Sequence, residues 1–459
     1  MATASRSRGP NTALDRLLTA SGWTRKSFAP RVNQLCEQRG HRRAYTHTSV
    51  ANWVVRGMIP DPPAPDAIAV ALGERLGRPV SLAEIGMCGV PDDGPEMGLD
   101  FPRDPADAVR GAASFWSTVH RREFLGGAFA VAAYTTPVTR WLVQPDARLH
   151  GHRGGRQVGR ADLDELWAAS SDARSWDSRY GGGSWKSSSV AECLRLRATP
   201  LLSGTYQDQI GTELFCVTAE LARVVGWSAL DMGQHDAAQR HFIQALALAR
   251  AAGDTGVGCH VLTTMALQAL LRGFSGEAID MTQGAFERAR SSASPRVLAF
   301  AKMVEARAHG RARDPRAAAR ALAEAETQLG RGWPDPDPEW ISYMTHTRLS
   351  SDAVEVWRDL GKPKVAFGWN KHADAMPTGS FARSVGLRLT VLGTTHLQAG
   401  ELEQGLAMGD RAVEILSRVQ STRARDYVRQ YTTALRPWSR EPEVRDLLHR
   451  ARTRLAAAS

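Results

Sequence analysis

Apolar and small residues recur along most of this chain with the 3.6-residue spacing of helices, and no sustained two-residue alternation marks a strand. The pattern predicts an all-α protein. In the first eighty residues, Leu14, Leu17 and Leu18 form one apolar face, and Phe28, Val32, Leu35 and Cys36 a second. Val50, Trp53 and Val54 form a third, and Ile68, Leu72 and Leu76 a fourth. Ser21-Gly22-Trp23-Thr24 ends the first helix, with Thr24 placed to cap the second. Thr46 or Thr48 can cap the third helix, which Gly57 and Pro60 terminate.

Further along, small residues return at a fixed step of forty. Ala238, Ala278 and Ala318 follow it, as do Ala245, Ala285 and Ala325, and Gly226, Ala266 and Ala306. A looser version continues through Ala353, Ala366 and Ala373, then Gly393, Gly405 and Ala412. A fixed step means stacked copies of one supersecondary unit. Each copy reads as two helices that cross at the small residues, with a break at Gly233, Gly273, Arg313-Asp314, Gly361 or Gly400 supplying a left-handed position. The pattern resembles the tetratricopeptide repeat over about five copies, residues 218–421. The alternative is an Ala-rich helical bundle without true repeats. The resemblance implies a concave face that docks a peptide, a small molecule or a partner protein. Asn370, the only Asn after position 52, is a candidate peptide contact or an ordinary surface residue.

Charge changes the picture of the first segment. Of a net charge of +10, residues 1–60 carry an excess of eight, from ten Lys/Arg against two acids. A basic module on a near-neutral body is the footprint of nucleic-acid binding, because cations at phosphates release counterions. A basic disordered tail would explain Arg6 and Arg8 but not the helical periodicity behind them. In the third helix, Ser49, Asn52 and Arg56 face outward, with His47 and Thr48 at its start. Asn can read adenine, and Arg can read guanine or grip phosphate. Arg42 and Arg43, in the basic loop before it, would hold the DNA backbone.

The stretch Thr48-Ser49-Val50-Ala51-Asn52-Trp53, with Gly57 and Pro60, resembles the head of actinobacterial, Streptomyces-type helix-turn-helix transcriptional regulators. These join a lambda-repressor-like N-terminal domain to tetratricopeptide repeats. Tyr180-Gly181-Gly182-Gly183, Pro200 to Tyr206, Glu220-Leu221-Ala222 and Ala238-Gln239-Arg240-His241-Phe242 are similar to that family in the same order. The resemblance implies a cytoplasmic, double-stranded-DNA-binding regulator, dimeric on a palindromic operator, whose repeats sense a peptide, small signal or protein. One departure is the long segment between the second and third helices. The alternative function is an interaction scaffold without sequence-specific DNA binding.

The expected organisation is a DNA-binding head over 1–90, a linker over 91–160 with an apolar helix near 121–142, and a repeat domain over 161–456. The segment His120-Arg121-Arg122-Glu123-Phe124-Leu125 resembles a twin-arginine export signal, but it lies far from the N-terminus and its uncharged run is short for a bilayer. A packed helix is expected there rather than a membrane anchor.

Five scattered cysteines without a Cys-x-x-Cys pair suggest neither a disulfide framework nor structural zinc. Gly181-Gly182-Gly183-Ser184-Trp185-Lys186-Ser187 resembles a phosphate loop with Trp185 in place of the last Gly. No catalytic signature accompanies it. No enzyme activity, cofactor or metal is expected.

Overall fold

The computed structural model describes residues 10–38, 41, 43–60, 63–77, 80, 84–87, 97–119, 128–143, 156–183, 185–334, 336–373 and 378–456. Among them the regular elements are helices, with one isolated bridge between Gln157 and Thr205. The chain divides into two compact units, Met1–Pro95 and Glu96–Ser459.

The first unit contains α1 (Thr12–Ala20), α2 (Arg25–Gln38), α3 (His47–Val55) and α4 (Ala64–Leu76). The four apolar faces legible in the sequence meet in one core of Leu14, Leu18, Phe28, Val32, Leu35, Cys36, Val50, Trp53, Val54, Ile68 and Leu72. Ile85 and Met87 complete it. Asn11 ties both ends of the unit together. Its side chain caps α1 by accepting from Leu14 N–H at 3.0 Å and donates to the Ile85 carbonyl at 2.9 Å. Thr24 Oγ1 accepts from Ser27 N–H at 3.2 Å and so caps α2. Trp23 Nε1 donates to the Ala71 carbonyl at 3.0 Å, and the Arg75 guanidinium lies 4.4 Å over its ring.

The second unit begins with α5 (Pro105–Val119), a 3₁₀ turn (Val131–Tyr134) and α6 (Thr135–Val143). Next come α7 (Arg160–Tyr180), α8 (Trp185–Cys193), a π turn (Leu194–Ala198) and α9 (Thr199–Leu202). Five hairpins follow: α10 (Asp208–Asp231) with α11 (His235–Ala252), α12 (Thr255–Leu271) with α13 (Ser275–Ala289), and α14 (Pro295–Arg311) with α15 (Pro315–Leu329). The last two are α16 (His346–Asp359) with α17 (Pro363–Asn370), and α18 (Thr378–Gln398) with α19 (Leu402–Leu416). Behind them lie α20 (Thr422–Ala434) and α21 (Pro442–Ala456). Each hairpin packs on the next, which makes this unit an α-solenoid.

The step of forty has the expected physical basis. Ala238, Ala245, Ala266, Ala278, Ala285, Ala306, Ala318 and Ala325 are all fully buried. The five hairpin breaks, Gly233, Gly273, Arg313, Gly361 and Gly400, all have positive φ. Arg313, at φ +63°, is the one non-Gly residue among the described residues in that region. Its guanidinium donates to the Asp359 carbonyl. At the first crossing, a Cβ on Gly226 would stand 2.6 Å from Phe242 Cε1, so only glycine lets α10 and α11 come this close.

The solenoid also closes on its own beginning. α7 packs against both α10 and α18. Gln420 N–H donates to the Tyr180 carbonyl at 3.0 Å, and Gly183 N–H to the Gln420 carbonyl at 3.2 Å. Beside this seam, Arg383 of α18 reaches Asp177 of α7 at 2.8 Å and Asp231 of α10 at 3.0 Å. Arg423 of α20 adds a 3.0 Å contact to Asp231. Burial opposes ionisation of Asp231, but the two guanidiniums outweigh it and hold its carboxyl below the usual range.

The stretch expected as linker, 91–160, contributes Phe101, Phe115, Trp116, Tyr134 and Trp141 to the core of the second unit. Within the stretch, Arg140 donates to the Phe101 carbonyl and Ala106 N–H to Asp104 Oδ1 at 2.8 Å. Further partners come from α11. Gln244 Nε2 donates to the Gly98 carbonyl at 2.9 Å, Arg250 to the Arg103 carbonyl at 3.1 Å, and Arg240 to the Met97 carbonyl. Gln239 exchanges two hydrogen bonds with Ala130. Of the apolar helix expected near 121–142, helical structure runs through Val131–Tyr134 and Thr135–Val143, and residues 120–127 lie outside the described residues. Among the described residues no helix is long and apolar enough to cross a membrane.

Candidate nucleic-acid interface

The outward face of α3 is the candidate site, and its position depends on the segment that precedes it. Eight residues separate α2 from α3, more than a tight helix-turn-helix connection uses. Asn33 on α2 holds the far end of this segment. Its Oδ1 accepts from Tyr45 N–H at 2.9 Å and its Nδ2 donates to the Tyr45 carbonyl at 2.9 Å. The Tyr45 ring packs edge-on against Trp53, with centroids 5.0 Å apart. Thr46 then turns the chain into α3, and its N–H donates to Ser49 Oγ at 3.1 Å, one half of a capping box.

With Val50, Trp53 and Val54 in the core, the opposite side of α3 faces solvent. His47 and Thr48 are exposed in its first turn, and Asn52 and Ala51 are half-buried in its second. Val55 is 55% exposed near the end. Ser49 sits on this helix too, but its hydroxyl serves the cap. Arg56 is exposed at the C-cap, where its N–H donates to the Asn52 carbonyl at 3.1 Å. Arg43 is half-buried, and Arg42 lies outside the described residues. The structure thus brings His47, Thr48, Asn52 and Arg56 to the surface of one short helix.

The cations around it are not equivalent. Arg16, Arg25 and Lys26 are exposed, with Arg25 3.8 Å from Asp15. Arg31 is committed to a two-point contact with Glu74 of α4, at 2.9 and 2.5 Å. The hydrogen bond from Arg31 holds the Glu74 carboxyl below its ordinary value. Arg31 therefore links α2 to α4. Three contributors to the site escape the periodicity: Asn33, the Arg31–Glu74 staple, and Val55. Asn33 and Arg31 act on partners 12 and 43 residues away, and Val55 is apolar on a face expected to be polar.

Elsewhere, the glycine loop that resembles a phosphate site holds a carboxylate of the protein itself. Gly182 N–H donates to Asp231 Oδ2 at 3.0 Å. Among the described residues no group of three or more His, Cys, Asp or Glu is gathered for a metal. Cys193, Cys216 and Cys259 are free thiols, and burial pushes Cys259 up to about 12. Asn370 accepts from Arg388 at 3.0 Å.

Residues 14–88 match the family described as the SP15 N-terminal domain. The match lies within the first unit and leaves the helical hairpins outside it. No curated protein matches the chain.

Proposed function

We propose that the protein is a helix-turn-helix transcriptional regulator whose first unit binds double-stranded DNA through α3. The observation that carries this reading is the solvent-facing stripe of a nine-residue helix seated on a complete core, in the segment that holds nearly all of the chain's excess positive charge. Such a helix matches the width of a major groove, and Arg56, Arg25 and Lys26 are exposed for phosphates. The resemblance of the ordered motifs to actinobacterial regulators points the same way.

In this reading the hairpins are tetratricopeptide-like repeats that sense a signal. A groove of about 780 Å³ between α13, α14 and α15 offers a polar floor, where Glu305 contacts Lys302 at 2.7 Å and Gln283 at 3.0 Å. Its size suits a short peptide or a small molecule. The protein would act as a cytoplasmic homodimer, and the ligand would shift its operator affinity by favouring one conformational population.

The test is selection of genomic fragments on the purified full-length protein, followed by titration of the best fragment at several salt concentrations. A discrete site bound far above random DNA supports the regulator, and the salt slope counts its phosphate contacts. Weak binding, equal on all sequences, would put an interaction scaffold in its place.

A further inference from the structure

At about 100° per residue, Ala51, Asn52 and Val55 fall within about 60° of Thr48 around the α3 axis. These four side chains form the stripe opposite the buried Val50, Trp53 and Val54. Ser49 and Arg56 lie about 100° and 80° away from Thr48, on one flank. One acceptor position of the Ser49 hydroxyl is taken by Thr46 N–H.

The chemistry of this stripe is selective. Guanine presents O6 and N7, which Arg or Lys engages, and cytosine presents an amino group, which a carboxylate accepts. The stripe contains neither a cation nor a carboxylate. It holds one carboxamide and three methyl-bearing side chains. A carboxamide matches the N7 acceptor and N6 donor of adenine, and methyl groups match the C5-methyl of thymine. Val55 is the most telling member, because over half of its surface is left in water on a helix otherwise packed by valines.

Resting on the DNA-binding reading above, we infer that α3 reads A·T base pairs at the centre of its contact, with Asn52 on adenine and Val55, beside Ala51 and the Thr48 methyl, on thymine methyl groups. Arg56 then grips phosphate at the flank and supplies no base identity.

The experiment uses the full-length protein and the tightest duplex selected from a random pool. Single thymines in the selected site are replaced by deoxyuridine, which removes only the C5-methyl. Single adenines are replaced by 7-deazaadenine, which removes only the N7 acceptor. Wild type should lose about fourfold in affinity at one or more deoxyuridines, the equivalent of one buried methyl group. It should lose about tenfold at one 7-deazaadenine. Val55→Ala should bind the thymine and deoxyuridine duplexes equally at that position, and Asn52→Ala should no longer sense 7-deazaadenine. Far-UV circular dichroism and a urea midpoint matching wild type would show that both variants are folded. Sequence-selective binding with no deoxyuridine effect, a thymine preference retained by Val55→Ala, or G·C pairs at the core positions would overturn this inference alone. Absence of any selected site would overturn the DNA-binding reading, and this one with it.

Discussion

Asn33 and Tyr45 are joined by a reciprocal pair of 2.9 Å hydrogen bonds, in which one side-chain amide satisfies both backbone groups of a residue twelve positions away. This clamp anchors the residue just before the cap of α3, so the start of α3 is tied directly to α2.

Asn33→Ala should therefore cost about 2 kcal/mol of first-unit stability, because two half-buried backbone groups lose their partner. Hydrogen exchange at the Tyr45 amide should accelerate strongly, while the amides in the middle of α7 stay unchanged. Under the proposed DNA-binding reading, affinity for a selected duplex should fall with it. Asn33→Asp, which keeps the acceptor and loses the donor, should lie between the two. Unchanged exchange at Tyr45 in Asn33→Ala would show that the connection is held by other contacts.

Two glycines of the hairpins test two different constraints. At Gly226, a Cβ would collide with the Phe242 ring, so Gly226→Ala should destabilise the second unit by about 1–3 kcal/mol through overpacking. At Gly273, a Cβ would meet no atom within 4 Å, but φ is +92°. Gly273→Ala should cost about 1–2 kcal/mol through backbone strain alone. Adding Phe242→Leu should relieve the first variant and leave the second untouched. Urea titrations of the four proteins would read this, and relief of both by Phe242→Leu would contradict it.

Arg383 is the hub that joins α18 to α7 and α10. Arg383→Met should leave Asp177 and Asp231 buried beside each other with the Arg423 cation and the neutral donors Gly182 N–H and Trp227 Nε1 in compensation, at a cost of about 3–5 kcal/mol. The expected sign is an earlier urea midpoint and faster proteolysis within α18. A loss below about 1 kcal/mol would mean that the two carboxylates do not carry their charges in the variant.

Acid should weaken the second unit in two stages. Burial pushes His241 down to about 3, and its ring packs edge-on to Phe115 at 4.9 Å. Burial, reinforced by Arg223, lowers His260 in the same direction. Both are neutral when folded. Above pH ~6.5 neither state binds the proton, and their contribution is constant. As pH falls below that, only the unfolded chain takes it up, so stability drops by about 1 kcal/mol per pH unit for each histidine. Below pH ~4.5 the carboxylates join. Burial disfavours the charge on Glu220 and Glu355, but Arg223 in one case and Arg307 in the other prevail and bring each down to about 2. Their stabilisation is present above their unfolded values and is lost as pH falls towards 2. Calorimetry from pH 7 to 3 should show Tm falling already between 6.5 and 4.5, and His241→Phe should flatten that first stage. An unaltered profile in His241→Phe would remove this histidine from the explanation.

The all-helical class, the four faces of the first core and the forty-residue step of the hairpins were all legible in the order of residues. They rest on local rules: a 3.6-residue period, a cap, and a left-handed break. That is why Thr24, Gly233 and even Arg313 stand where the pattern places them. The same rules turn Val50, Trp53 and Val54 inward, and hence decide which side of α3 is open. What that side offers depends on packing between distant segments. The capping role of Ser49 and the exposure of Val55 follow from where α3 begins, which Asn33 sets from another helix. The placement of residues 97–103 was likewise decided at a distance. They are held because Arg240, Gln244 and Arg250 of α11 donate to the carbonyls of Met97, Gly98 and Arg103. Long-range polar pairings carry no period, so they leave no trace in the order of residues. They become visible only when the two segments lie side by side.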